Sequence, residues 1–161
     1  MKDSTTNLIL SIAAVILVAV VIFNQFQRPA APKAPGSEMV SQHVSLDKTG
    51  FHNGKPKLII AIRKGCKFCE ESMPFYRRLA DAPKIVTKKW DMLMMTIPGQ
   101  YDPKQYLEEN KIQKDNLPLL PELKITGTPT IVVLDSHEKV TKVYLGKLTP
   151  NKENELLKDL Q

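Results

Sequence analysis

Residues 58–69 read Leu-Ile-Ile-Ala-Ile-Arg-Lys-Gly-Cys-Lys-Phe-Cys, and this stretch decides the fold. The apolar run at its start is typical of a buried strand, and Cys66 and Cys69 follow it with two residues between them. They are the only cysteines among 161 residues. Because backbone amides at a helix start stabilise a thiolate, a strand that delivers two cysteines to a helix start predicts a dithiol/disulfide redox centre.

Thiol-disulfide exchange gives the two cysteines different roles, because one thiolate attacks a target sulfur and the other resolves the mixed disulfide. We predict that Cys66, nearer the helix start, attacks, and that Cys69 resolves. Arg63, Lys64 and Lys67 place three cations close to Cys66 in sequence. Together with the helix N-terminus, these cations are predicted to lower the pKa of the Cys66 thiol.

Apolar periodicity and helix-start signals predict the other elements of the domain. Asp102-Pro103 and Thr149-Pro150 each pair a capping residue with a proline at the first helical position. The predicted strands are 57–62, 90–97, 130–134 and 140–145, and the predicted helices are 67–80, 102–110 and one that begins at 149–150. Strands that alternate with helices and end in a hairpin and a helix predict a three-layer α/β sandwich with a mixed sheet.

The N-terminal segment has a different composition. Residues 8–23 carry no charge, and the nearly continuous apolar span to Phe26 would reach about 28 Å as a helix, close to the hydrocarbon thickness of a bilayer. No small-residue cleavage site follows, so an uncleaved transmembrane helix is favoured over a signal peptide. We therefore predict a membrane anchor at 1–26, a linker rich in proline and alanine at 27–37 and a globular domain at 38–161.

The composition narrows the class of partner. Hydrophobic residues make up 42% and charged residues 25% of the chain, which is typical of a globular protein with an additional apolar segment. The net charge is +6, but no dense basic stripe with interleaved aromatic residues occurs. We therefore expect no binding to nucleic acid.

The order of elements resembles the thioredoxin fold, and more narrowly the chain is similar to the membrane-anchored TlpA/ResA-like thiol-disulfide oxidoreductases. The resemblance covers roughly residues 44–160. It is carried by Val44-Ser45-Leu46, Gly54-Lys55-Pro56, Cys66-Lys67-Phe68-Cys69, Pro74, Tyr106-Leu107-Glu108-Glu109-Asn110-Lys111-Ile112, Ile125-Thr126-Gly127-Thr128-Pro129-Thr130 and Leu145-Gly146-Lys147-Leu148-Thr149.

This resemblance implies a site and a set of partners. Pro129 would be a cis proline that faces the cysteines, and the backbone of Thr128 would pair with a substrate strand. The only redox group would be the Cys66–Cys69 disulfide, with no separate cofactor. Expected partners are protein thiols and disulfides, with reduction favoured over oxidation and apocytochrome c as one client, and a membrane electron-transfer protein. The expected location is the cytoplasmic membrane, with the domain in the periplasm or another extracytoplasmic space.

The chain departs from the family pattern at three positions near the cysteines. An aromatic residue often precedes the first cysteine in such families, but Gly65 stands here. The positions of two acidic groups used in related proteins correspond to Ile60 and Ser72, with Glu71 beside the latter. These departures leave open how the second thiol loses its proton.

Three alternative uses of the cysteine pair remain. A purely structural disulfide is disfavoured because so short a loop removes little chain entropy. Zinc would need two more ligands, and the histidines at 43, 52 and 137 show no metal-ligand spacing, so no metal site is predicted. The main alternative is a Sco-like copper chaperone, in which Cys66, Cys69 and a histidine such as His137 hold the ion.

Overall fold

The computed structural model describes residues 15–23 and 36–160. The chain divides into two units, and each is described by itself. In the first unit, residues 15–23 form a helix. None of the helices in the described residues combines the length and the apolar character needed to cross a membrane. The remainder of the predicted anchor, and the linker up to residue 35, lie outside the described residues.

A five-stranded mixed sheet forms the centre of the second unit. Its strands are β1 (Lys57–Ile62), β2 (Asp91–Thr96), β3 (Asn116–Leu117), β4 (Thr130–Leu134) and β5 (Val140–Leu145), in the order β3-β2-β1-β4-β5. β1 pairs parallel with β2, and β2 parallel with β3, whereas β4 pairs antiparallel with β1 and β5. The predicted bounds of β1, β4 and β5 are confirmed, as is the hairpin between the last two.

Four α-helices accompany the sheet, and three of them begin where the sequence predicts. They are α1 (Lys67–Ala80), α2 (Pro83–Val86), α3 (Pro103–Glu109) and α4 (Pro150–Asp159). The predicted cap of α3 is confirmed, because the carboxylate of Asp102 accepts a hydrogen bond from the amide of Gln105 at 2.8 Å. The short helix α2 and the two-residue strand β3 have no counterpart in the sequence prediction.

The two sheet faces are covered by different kinds of structure. Successive side chains of a strand point to opposite faces, so Leu58 and Ile60 pack into one core cluster and Ile59 and Ala61 into another. The first cluster includes residues of all four helices. The second contains no residue of α1–α4 and is closed by residues 39–51 and 120–125 instead. Both faces are buried, as the unbroken apolar run of β1 predicts, and the layer over the second face contains two short 3-10 helices, Ser37–Met39 and Asp47–Thr49, rather than an α-helix.

The sheet topology brings the predicted site together. Because β4 runs antiparallel to β1 with Ala61 opposite Thr130, the start of β4 lies beside the end of β1. The segment that precedes β4 therefore meets the start of α1, which follows β1. The turn between β4 and β5 lies at the other end of the sheet.

Candidate redox site

Cys66 occupies the N-cap position of α1. Its sulfur accepts a hydrogen bond from the backbone amide of Cys69 at 3.3 Å, as the oxygen of an ordinary capping residue would. The turn that leads into the helix is closed by the amide of Cys66, which bonds the carbonyl of Arg63 at 3.3 Å. Gly65 lies inside that turn with a φ of 76°, a left-handed conformation that favours glycine. This conformation gives a physical reason for the absence of an aromatic residue there.

A second segment faces the cysteine pair from the start of β4. The Thr128–Pro129 peptide bond is cis, as the resemblance implies. The thiol of Cys66 donates a hydrogen bond to the carbonyl of Thr128 at 3.3 Å. The amide of Gly146, just past β5, bonds the carbonyl of Pro129 at 2.7 Å and fixes this segment to the sheet.

The two thiols differ in burial. Both cysteines are reduced, with 8% of Cys66 and none of Cys69 exposed, whereas Phe68 between them is 55% exposed. A target sulfur can therefore approach Cys66 more readily than Cys69. This difference supports the predicted order of attack, while the roles themselves remain predictions.

The surroundings of Cys66 favour its thiolate. Burial opposes ionisation, but the side chains of Cys69 and Thr128 and the backbone amides of Cys69 and Phe68 donate hydrogen bonds that outweigh it and hold the pKa of the Cys66 thiol below its usual value. A lowered pKa places more of the reactive thiolate at neutral pH.

The surroundings of Cys69 have the opposite effect. Burial and the neighbouring Cys66 raise the pKa of the Cys69 thiol to about 11. The buried thiol therefore keeps its proton at neutral pH. The asymmetry within the pair is the one that thiol-disulfide exchange needs.

The three predicted tuning cations lie at the surface. Arg63, Lys64 and Lys67 are exposed. The ammonium of Lys64 lies 3.7 Å from the carboxylate of Glu109 and 5.9 Å from the centre of the Tyr106 ring. The hydrogen bonds that lower the Cys66 pKa come from the helix start and from Thr128, so tuning by the three cations remains a prediction.

The positions where related proteins carry acids are occupied differently here. Ile60 is buried in the core, and the hydroxyl of Ser72 bonds the carbonyl of Phe68 at 2.7 Å. Glu71 points away to Lys147, whose ammonium lies 2.8 Å from its carboxylate and lowers the pKa of that carboxyl.

Two tyrosines near the cysteines were not predicted as part of the site. Tyr76 and Tyr106 are both buried, and charge on Cys69 or Cys66 raises the pKa of each beyond the effect of burial. The sequence could have indicated that Tyr76 lies near the site, because a spacing of seven residues places it on the same face of α1 as Cys69. No sequence pattern links Tyr106, which lies on α3, to the cysteines.

The copper alternative requires a histidine beside the thiols, and the structure separates them. His137 lies in the turn between β4 and β5, His43 pairs with Lys139 just after that turn, and His52 lies 2.7 Å from Glu138. The cysteines lie at the other end of β4, a strand about 13 Å long. A site built from both cysteines and His137 is therefore not formed.

The histidine at 52 takes part in a different cluster. Its Nδ1 lies 2.7 Å from a carboxylate oxygen of the buried Glu138 and 3.4 Å from one of the exposed Asp47. The second oxygen of Glu138 accepts a hydrogen bond from the amide of Leu46 at 3.2 Å. These contacts join the segment before β1 to the β4–β5 turn.

Comparisons with known proteins identify the fold. No protein-family model matches the sequence, and no curated protein matches it either. Among solved structures, StoA from Bacillus subtilis is similar with 16% identity and a TM-score of 0.56, over 68% of this chain and 84% of that one. The thioredoxin domain of a thiol-disulfide oxidoreductase from Bacteroides vulgatus is 20% identical with a TM-score of 0.58, over 81% of this chain and 100% of that domain.

A third structure agrees with these two. A thiol:disulfide interchange protein of the thioredoxin family from Chlorobium tepidum is 19% identical with a TM-score of 0.56, over 70% of this chain and 85% of that one. At this level of sequence identity, structural similarity supports a shared fold but not a shared activity. The chain has a thioredoxin-like α/β fold with a mixed sheet.

Proposed function

We propose that the chain is a protein thiol-disulfide oxidoreductase that uses Cys66 and Cys69 as its redox pair. The observation that carries the proposal is the position of Cys66, whose sulfur caps α1 and contacts the Thr128 carbonyl, with a lowered pKa. The solved structures of similar fold are themselves described as thiol-disulfide oxidoreductases or interchange proteins, which supports the same reaction class.

The proposed reaction balances without any further group. The Cys66 thiolate attacks one sulfur of a substrate disulfide, a new S–S bond forms, and the other substrate sulfur leaves as a thiolate that takes a proton from water. Cys69 then loses its proton and attacks the Cys66 sulfur, which releases the second substrate thiolate. The substrate gains two electrons, and the Cys66–Cys69 pair becomes a disulfide.

The proposal includes a location and a direction. Residues 8–26 support a membrane anchor that tethers the domain on the extracytoplasmic face of the cytoplasmic membrane. The resemblance to TlpA/ResA-like proteins supports reduction of substrate disulfides, with apocytochrome c in cytochrome c maturation as a client class. A membrane electron-transfer protein with a dithiol would then return the pair to its reduced form.

Three variants of the full chain test the reaction with insulin as the disulfide substrate. The Cys66→Ser variant is expected to lose reduction, since no attacking thiolate remains. The Cys69→Ser variant is expected to accumulate a mixed disulfide with insulin that dithiothreitol releases, because resolution is blocked. Ser72→Ala is the matched control on the same helix and is expected to keep most of the rate. Full activity in Cys66→Ser would overturn the proposed function.

The direction and the anchor each have their own measurement. Equilibration of the pair with glutathione buffers should give a reduction potential near that of thioredoxin, about −270 mV, for a reductase, whereas a value near that of DsbA, about −120 mV, would make the chain an oxidase.

For the anchor, the full chain should stay with membranes at alkaline pH, and a chain without residues 1–26 should be released. Release of both would remove the tether from the proposal.

A further inference from the structure

A cluster of lysines lies on the edge of the domain where β2 and β3 begin. Lys84, Lys88 and Lys89 lie on α2 and in the turn that leads into β2, and Lys111 and Lys114 lie between α3 and β3. We name these five residues the lysine cluster. Since β2 and β3 are parallel neighbours, the two segments that precede them lie side by side.

Three residues of the lysine cluster share one depression, and the other two are close to each other. Lys88, Lys111 and Lys114 line one surface depression of about 390 Å³, together with Asp81 and Gln113. Lys84 and Lys89 lie so close that the ammonium of Lys89 lowers the pKa of Lys84. Positive charges from two chain segments therefore crowd around one concave surface.

The lysine cluster has little internal neutralisation. None of its five ammonium groups forms an ion pair with a carboxylate in the part of the chain that the structure describes. Of the other twelve lysines at residues 36–160, six form such pairs, namely Lys55, Lys57, Lys64, Lys104, Lys142 and Lys147. Asp81 is the one acidic residue that lines the depression, against three lysines. Like charges held together without partners destabilise a fold, so an anion bound between them would stabilise it.

We propose that this depression binds a multiply charged phosphate-bearing anion. Three ammonium groups supply point charges to the phosphate oxygens, and the Gln113 amide adds a neutral donor. The depression is concave and open, which suits a small anion or a lipid headgroup rather than a flat protein face. The single carboxylate of Asp81 at its wall favours ligands with more than one negative charge, since the net charge of the lining stays positive. This proposal does not depend on the redox reaction.

The rate of lysine acetylation, followed by mass spectrometry, measures whether an anion occupies the depression. The full chain is reconstituted in nanodiscs of phosphatidylcholine and treated with an acetylating reagent, with and without inorganic pyrophosphate at constant ionic strength. We expect acetylation of Lys88, Lys111 and Lys114 to slow about tenfold when pyrophosphate stands at ten times its dissociation constant. The exposed Lys48 and Lys124 serve as controls and are expected to keep their rates.

A second arm distinguishes a soluble anion from a lipid headgroup. Nanodiscs that contain cardiolipin, whose headgroup carries two phosphates, should slow acetylation of the same three lysines without pyrophosphate if the ligand is a headgroup and leave it unchanged if the ligand is soluble. Slowing of the three lysines in either arm supports the site. Unchanged rates in both arms, or equal slowing of Lys48 and Lys124, would overturn it, since the latter means general screening of charge.

A variant separates binding at this site from protection by other causes. In Lys88→Gln/Lys114→Gln, Lys111 should lose its protection, whereas Lys48→Gln/Lys124→Gln should leave the protection of Lys111 intact. Protection of Lys111 that survives the first double substitution would contradict the proposal. Both variants are expected to reduce insulin at the rate of the unmodified chain, so failure here is distinct from failure of the proposed function.

Discussion

The thiol of Cys66 donates a hydrogen bond to the carbonyl of Thr128 at 3.3 Å, although 62 positions separate the two residues in the chain. The contact joins the start of α1 to the segment before β4. Thr128 acts on Cys66 in two ways, because its carbonyl accepts from the thiol and its hydroxyl donates to the thiolate. The second effect lowers the Cys66 pKa, as do the amides of the helix start.

The first prediction concerns that hydroxyl. Thr128→Val keeps the shape and the backbone carbonyl but removes the donor, so the pKa of the Cys66 thiol is expected to rise. The rate of alkylation by iodoacetamide, followed against pH, measures that pKa. Thr126→Val, an exposed threonine two residues earlier, is the control and should leave the pH profile in place. Coincident profiles for the two variants would show that the Thr128 hydroxyl has no effect.

The second prediction concerns the pH dependence of stability in the reduced protein. Burial raises the pKa of Cys69 to about 11, above its ordinary value of 9.0, so the folded state holds this proton more tightly than the unfolded state. The contribution is therefore fully present below pH 9 and is lost as the pH rises through about 11. Cys66, whose pKa is lowered, has the opposite dependence.

Urea unfolding with excess dithiothreitol measures this effect. The free energy of unfolding of the unmodified chain should fall more steeply between about pH 9 and pH 11 than that of Cys69→Ala, in which the buried thiol is absent. The comparison between the two chains removes the contributions of lysines and tyrosines that titrate in the same range. Parallel curves would mean that Cys69 ionises as freely in the fold as in the unfolded chain.

Much of this architecture follows from local sequence. The sequence predicts both ends of β1 because its unbroken apolar run must be buried on both faces. α3 and α4 were predicted because a proline at the first helical position marks the start of each, and Asp102 also caps α3. The redox pair was predicted because a two-residue spacing places one thiol at a helix start and the other one turn inside.

Other features depend on contacts that no local pattern encodes. Strand β3 has two residues, too few for any periodicity, and exists because Asn116 and Leu117 pair with β2. The layer that covers the second sheet face consists of loops and two single-turn 3-10 helices, which are too short for a hydrophobic period to appear in the sequence. Tyr106 of α3 belongs to the same core cluster as both cysteines, and Glu138 contacts His52 across 86 positions.

The third prediction concerns the turn before the cysteines. Gly65 has a φ of 76°, and a Cβ built there would meet no atom within 4 Å, so the constraint is conformational and not spatial. Gly65→Ala is expected to lower the free energy of unfolding by about 1 kcal/mol. Gly65→Asn should lose less, because asparagine tolerates the left-handed conformation. Chemical denaturation of the three chains checks this order, and equal losses would mean that backbone conformation is not the cause.

The fourth prediction concerns the buried carboxylate at the β4–β5 turn. Glu138 is 4% exposed, and its two oxygens bond the amide of Leu46 and the ring of His52. Glu138→Gln puts an amide donor in this pocket in place of one of the two acceptors. The free energy of unfolding is therefore expected to fall by about 1–3 kcal/mol. Glu122→Gln, at an exposed site, should change it little. If both substitutions cost the same, the contacts of Glu138 contribute nothing beyond a surface charge.

The fifth prediction concerns the hydroxyl of Tyr106. The residue is 4% exposed, its hydroxyl has no hydrogen-bond partner among the described atoms, and burial raises its pKa to about 12. A buried hydroxyl without a partner costs about 1–3 kcal/mol, so Tyr106→Phe should raise the free energy of unfolding or leave it unchanged. Tyr101→Phe is the comparison and should lower it, because the Tyr101 hydroxyl donates a hydrogen bond to the carbonyl of Ile97 at 2.5 Å. Urea denaturation at neutral pH measures both. A loss in Tyr106→Phe as large as that in Tyr101→Phe would mean that the Tyr106 hydroxyl is hydrogen-bonded in solution.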